Sequence, residues 1–285
     1  MNHQTVSGFG GVKLAVTTAG DPGNPSIVLI HGWSQAALSW QLQLESLAND
    51  FFLVAPDLRG HGFSDKPTGD SPYGSSEPWA HDIAAVIEAF SLNRPMLVGW
   101  SMGGYVVQDY VAVYGDALLG GIVLIGTGVT KGQSLPEAAR AARGADMAVS
   151  ATDMLSDDLE RNIEATIAFV KACTAQPLPQ KDLLRTVAFN MLCPPEVRAI
   201  CRTRPGDYRA AMAKVTCPTM IMWGDQERLA HRSMFDQAMQ TIPGAIPKVY
   251  PGIGHMPFVE AADVFDADIR AFADATIRHD EVYPK

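Results

Sequence analysis

Cysteine is scarce in this chain and follows no pattern. The 285 residues include four, Cys173, Cys193, Cys201 and Cys217, with no C-x-x-C or C-x-x-H spacing. That spacing rules out a disulfide framework and offers no zinc-ligand signature. The expectation is reduced thiols in a cytoplasmic protein, with no metal site. Basic charge is short as well. Lys and Arg number 22 against 31 Asp and Glu, a net charge of −9. A nucleic-acid partner is excluded on that count, because phosphate binding needs a surplus of cations. Long hydrophobic runs are missing too: the most apolar stretch, 117–126, is far below the roughly 20 residues needed to cross a bilayer. The first residues, Met1-Asn2-His3-Gln4-Thr5-Val6, lack the basic and apolar regions of a leader peptide. No membrane attachment is therefore expected. Whether the chain forms a homo-oligomer is left open by its sequence.

What the chain does contain is hydrophobic residues, at 47%, enough to build a large core without disulfides or metal. Short apolar runs alternate with longer helical patterns, which predicts an α/β fold: a mostly parallel central sheet flanked by helices. Strands are expected at 26–30, 52–56, 95–98, 121–125 and 219–223, apolar at consecutive positions as when both faces are buried. Further strands are expected at 12–18 and 246–250, and helices at 38–48, 77–91, 102–115, 230–241 and 259–277. The rhythm stops after Gly126 and resumes at Cys217-Pro218. Residues 130–215 show helical patterning punctuated by proline and no buried strand. The expected organisation is a core of 1–129 and 216–285 with a helical cap, 130–215, inserted between two strands. Between Lys131 and Thr216 there are 12 Lys and Arg against 10 Asp and Glu, so the acidity lies in the core. The cluster Arg198, Arg202, Arg204 and Arg209 reads as a solvated helix face, and 66–77 as an exposed loop.

Three stretches carry chemistry. Gly99-Trp100-Ser101-Met102-Gly103 has the G-x-S-x-G form, with a buried strand before it and a helix after it. Glycines flank the serine because the turn is too tight for side chains there. The strain lifts Ser101 Oγ to where a substrate can reach it. Ile30-His31-Gly32-Trp33 closes the first buried strand, where a second oxyanion donor is required. The Trp33 and Met102 N–H groups are the candidate oxyanion hole, and Trp33, Trp100 and Met102 the candidate substrate pocket. Gly254-His255-Met256 places a histidine between a glycine and an apolar residue, late in the chain, as the candidate base. The other six histidines, His3, His31, His61, His81, His231 and His279, read as structural.

On these stretches, together with Asp57-Leu58-Arg59-Gly60-His61-Gly62-Phe63-Ser64, the chain resembles the α/β-hydrolase family. The branch is that of the non-haem haloperoxidases and arylesterases. The resemblance implies a Ser-acid-His triad and assigns the stretch at 57–64 a structural role. It also places the acid three residues after a strand-ending glycine. Here that position is Glu227, in Gly224-Asp225-Gln226-Glu227, with Asp225 as competitor. Relatives of the haloperoxidase type commonly carry proline after the oxyanion-loop aromatic, whereas this chain has Ser34.

Taken together these readings predict a serine hydrolase that cleaves a carboxylic ester or related acyl bond of a small, partly apolar substrate, without a cofactor. Epoxide hydrolase and dehalogenase chemistry needs a carboxylate where Ser101 stands. A carbon–carbon bond hydrolase or cofactor-free oxygenase on this fold, and a ligand-binding receptor, are the alternatives.

Overall fold

The computed structural model describes residues 1–140 and 152–277. The stretch at 141–151, inside the expected insertion, and His279 lie outside the described residues.

Eight strands form one sheet in the order β1-β2-β4-β3-β5-β6-β9-β10. β3 (Ser26–Ile30), β4 (Phe52–Pro56), β5 (Met96–Trp100), β6 (Gly121–Ile125), β9 (Thr219–Gly224) and β10 (Ile246–Tyr250) run parallel. β2 (Lys13–Ala19) pairs antiparallel with β4, and β1 (Asn2–Ser7) antiparallel with β2. Every residue of β3, β4, β5 and β6 is buried, because helices cover both faces of the sheet. One core layer joins the sheet to α2 (Glu77–Ala89), α3 (Met102–Tyr114) and a later helix, α8 (Arg232–Thr241). The opposite layer joins it to α1 (Gln41–Ser46) and the last helix, α10 (Ala262–Thr276). No described helix is long and apolar enough to cross a membrane.

β1 was not expected. Its sequence, Asn-His-Gln-Thr-Val-Ser, is polar, and Val6 alone of its residues is buried. The strand exists because β2 offers it a paired edge, not because its side chains ask for burial.

Between β6 and β9, which are hydrogen-bonded neighbours, the chain makes a long excursion. It contains α4 (Leu159–Ala172), α5 (Gln180–Asn190), α6 (Pro195–Thr203) and α7 (Arg209–Met212). Asp158 starts α4 by accepting the amides of Glu160 and Arg161, and prolines at 194 and 195 start α6. The expected absence of strands here needs correction. β7 (Thr130–Lys131) and β8 (Gly206–Asp207) pair antiparallel and draw the two ends of the excursion together.

The solvated-face reading of the arginine cluster holds for exposed Arg209 but fails for Arg198 and Arg204. Arg204 is 3% exposed and forms a two-pronged ion pair with Asp109 of α3 at 3.0 and 2.8 Å, while Tyr208 donates to the same carboxylate at 2.7 Å. Removing one partner of such a pair costs about 3–5 kcal/mol. Arg198 is fully buried. Within 66–77, Tyr73 is buried and its hydroxyl donates to the Pro67 carbonyl, so that loop is anchored at its centre.

Candidate active site

Ser101 follows β5 directly and leads into α3, with φ 53° and ψ −114°. This strained geometry depends on its neighbours. A Cβ at Gly103 would lie 2.2 Å from the Ile30 carbonyl oxygen, and one at Gly99 would lie 2.6 Å from the Gly103 carbonyl oxygen. No side chain fits at either position. The Ser101 amide donates to the Ile125 carbonyl at 2.8 Å, tying the turn to the end of β6. Behind the serine stands the first turn of α3, whose leading N–H groups have no intrahelical acceptor and carry the positive end of the helix dipole.

His255 is 3% exposed, and its Nδ1–H donates to Glu227 Oε2 in a short contact. The other Glu227 oxygen accepts the Leu229 and Ala230 amides at 2.7 and 3.2 Å. The carboxylate is therefore fixed on both sides. Asp225 is exposed and accepts the Gly252 amide at 2.7 Å, shaping the turn that brings the histidine loop round. Of the two competing acids, Glu227 is the one that reaches the histidine. Gly126 joins this group to the serine: a Cβ there would lie 2.7 Å from His255 Nδ1 and 3.3 Å from Glu227 Oε2, one residue beyond the carbonyl that holds Ser101.

The main chain around His255 is gripped from two directions. Its amide donates to the Cys173 carbonyl at 2.9 Å, and its carbonyl accepts the Trp100 indole N–H at 2.8 Å. Glu260 accepts the Gly254 amide at 2.9 Å on one oxygen and the Ala175 amide at 2.6 Å on the other. Burial raises the Glu260 carboxyl above its usual pKa, and these amides partly offset that. Sequence reasoning passed over Glu260. Its only signal is its place five residues after the histidine, in the turn that starts α9 (Pro257–Glu260).

Trp100 corrects the expected pocket. It is 1% exposed, packs edge-on to Phe258 and lies beneath His255 with ring centroids 5.5 Å apart. As the residue before the turn, it points to the core face of the strand and supports the histidine instead of lining a pocket. Trp33 is partly buried, with Phe169 of α4 edge-on at 5.3 Å, and Met102 is 5% exposed.

The candidate oxyanion loop is oriented from below. His31 Nδ1–H donates to the Gly32 carbonyl at 2.8 Å, and its Nε2 accepts the Leu58 amide at 3.0 Å. Holding the Gly32 carbonyl fixes the plane of the peptide whose other end is the Trp33 N–H. Burial lowers the His31 pKa to about 4, so the ring stays neutral and keeps this tautomer. His61, whose ring centroid is 5.3 Å from that of His31, is lowered to about 3, chiefly by burial. Asp57 accepts the amides of Ala37 and Phe63, and Arg59 pairs with Asp82 through two bonds of 2.7 Å. This stretch shapes the floor under the site.

Beside the histidine loop a cavity of about 330 Å³ is lined by Leu38, Leu42, Leu178, Phe189 and Met256, with Asp182 and Arg185 among its polar residues. Among the described residues no group of three or more His, Cys, Asp or Glu is placed to hold a metal ion, and the four cysteines are free thiols.

The structure thus sets a strained serine between a parallel sheet and a helix, and a histidine–carboxylate pair at the next strand end. The model of the alpha/beta hydrolase family matches residues 27–267, and the chain belongs to that family, in its esterase and haloperoxidase branch. It is 26% identical over 259 residues to a pimeloyl-(acyl-carrier protein) methyl ester esterase of Pectobacterium atrosepticum, spanning 89% of this chain and 96% of the relative. An esterase structure from Rhodococcus sp. ECU1013 superimposes with a TM-score of 0.85 at 30% identity, over 95% of this chain and 98% of that one. A bromoperoxidase structure from Bacillus anthracis gives a TM-score of 0.79 at 20% identity, over 95% and 99%, and speaks for the fold alone. With these relatives the protein is a hydrolase of the esterase kind.

Proposed function

We propose that the protein is a serine esterase in which Ser101, His255 and Glu227 form the triad and the Trp33 and Met102 amides form the oxyanion hole. The observation that carries this reading is the Glu227 carboxylate on His255 Nδ1, because it commits the imidazole to the tautomer whose Nε2 can accept a proton. His255 Nε2 takes the proton from Ser101 Oγ as that oxygen attacks the ester carbonyl. Negative charge developing on the carbonyl oxygen is met by the two amides, Met102 at the start of α3 and Trp33 in the loop oriented by His31. The proton passes from His255 to the departing alcohol, leaving an acyl group on Ser101. Water, activated by the same ring, then releases the acid.

The segment 130–215 acts as a cap over this site. Supporting that role, Phe169 meets Trp33, and the Cys173 carbonyl and Ala175 amide meet the histidine loop. The apolar cavity beside Met256 suits a small, partly apolar ester. Ser101→Ala, with labelling by a fluorophosphonate, tests the mechanism. The wild-type protein should be labelled at Ser101, and the variant should lose ester cleavage by several powers of ten with its melting temperature unchanged. An alanine variant that keeps about a tenth of the activity overturns the triad reading. A p-nitrophenyl ester series tests the cap: kcat/KM should fall as the acyl chain lengthens, and faster cleavage of long chains would contradict a closed roof.

A further inference from the structure

The oxyanion loop also has attachments above it, and they converge on one side chain. Trp33 donates its indole N–H to the Arg198 carbonyl at 3.0 Å. Ser34 Oγ donates to the Asn190 carbonyl at 3.3 Å. The Arg198 guanidinium donates to that same Asn190 carbonyl at 2.6 Å, and also to the Met154 carbonyl at 2.9 Å and Asn162 Oδ1 at 2.7 Å. Thus one residue on α6 receives Trp33 on its backbone and fixes, with its side chain, the acceptor used by Ser34.

The arrangement is unusual in two respects. Arg59 and Arg204, the other buried arginines among the described residues, each face a carboxylate. Arg198 is fully buried, and these three oxygen partners are uncharged. A buried cation held by neutral acceptors is a costly way to join helices, since an apolar side chain of similar size would do so without desolvating a charge. Ser34, meanwhile, has φ 61°, in the left-handed region that a non-glycine residue enters only when its surroundings hold it there. A proline, locked near −65°, could not adopt this conformation at all. The loop that presents the Trp33 amide is therefore strained; its hydrogen bonds from above pass through the α5–α6 knot, with Phe169 of α4 packed on the Trp33 ring.

We propose that Arg198 is a positioning residue for the oxyanion hole. Its guanidinium and carbonyl hold Ser34 and Trp33 so that the Trp33 N–H keeps its aim at the developing oxyanion. This rests on the esterase reading above. Arg198 touches no substrate; it acts through the loop.

The test compares Arg198→Lys, Trp33→Phe and wild type in turnover of p-nitrophenyl acetate and in inhibition by an aryl trifluoromethyl ketone, whose adduct on Ser101 carries an oxyanion. Deleting an oxyanion donor outright lowers kcat by about 10²–10³, so loosening one should cost roughly tenfold in kcat with KM changed less than about twofold. The ketone inhibition constant should rise by the same factor as kcat falls. Trp33→Phe keeps an aromatic ring and removes the indole N–H, so it remains informative if Arg198→Lys does not fold. Folded variants whose kcat and ketone affinity stay at wild-type values, or whose loss lies in KM alone, overturn the proposal while leaving the esterase reading intact. A wild-type protein that is neither labelled by fluorophosphonate nor active on esters overturns both.

Discussion

Ser101 and His255, the proposed nucleophile and base, are held by different parts of the molecule. Ser101 is fixed by the sheet: β5 delivers it, the β6 carbonyl of Ile125 holds its amide, and the glycines at 99 and 103 let β3 and α3 close around it. His255 is fixed in part by the excursion between β6 and β9, through the Cys173 carbonyl and, by way of Glu260, the Ala175 amide. The serine's geometry is thus a property of the core, whereas the histidine's depends on helices that the sheet does not contain. Changes to the excursion should misplace the base while leaving the nucleophile well formed.

The largest effect expected from breaking this contrast lies at the carboxylate. Glu227→Gln keeps the size of the side chain but loses the charge that holds the His255 tautomer, and kcat should fall by about 10²–10⁴, whereas Asp225→Asn should stay within about threefold of wild type. Steady-state kinetics on p-nitrophenyl acetate decide it, and the reverse ranking would hand the acid role to Asp225. A smaller effect is expected where the excursion grips the histidine loop. Glu260→Ala strands the Gly254 and Ala175 amides, lowering stability by roughly 1–3 kcal/mol. Its kcat should drop several-fold, with fluorophosphonate labelling of Ser101 slowed in parallel. A variant with unchanged kcat would remove Glu260 from the hold on His255, leaving the Cys173 carbonyl as the excursion's contact.

The effect expected on the core side leaves catalysis aside and is a dependence of stability on pH. His31 and His61 have folded pKa values depressed by burial to about 4 and about 3, from an unfolded value of 6.5. Folding therefore keeps them neutral while the unfolded chain takes up protons. The stability they contribute is complete above pH 6.5 and is lost as pH falls towards the folded values. Melting temperatures measured from pH 7 to pH 3 should decline over that window, and His61→Gln should decline less steeply. Equal slopes for the two proteins would remove His61 from the account.

The contrast between core and excursion also separates what could be read in the sequence from what could not. The serine turn was legible because its strain demands glycines at fixed offsets, and the buried strands because they are apolar without interruption. The contact of Glu227 with His255 was legible by register from Gly224, since its place is set along one short segment. Arg198 and Arg204 were misread. Their partners, Asn162 on another helix and Asp109 on α3, are distant in the chain, and nothing local separates a buried arginine from a solvated one. Trp100 was misread for a related reason, because the residues that bury it, His255 and Phe258, are distant in the chain. The Ser34 conformation has no signature either: the proline found in relatives is ruled out here by a backbone angle, which composition does not record.

The two-residue ribbon of β7 and β8 has a consequence for how such a chain can change. Thr130 faces Asp207 and Lys131 faces Gly206, so the excursion departs and returns through adjacent points about 5 Å apart. A splice at those points could exchange everything between them without stretching the sheet. Donor segments of quite different length would be admissible, provided that they restored an acceptor for the His255 amide and a mate for the carboxylate of Asp109. If the excursion is the roof proposed above, the roof can be grafted, but it must bring those two attachments with it.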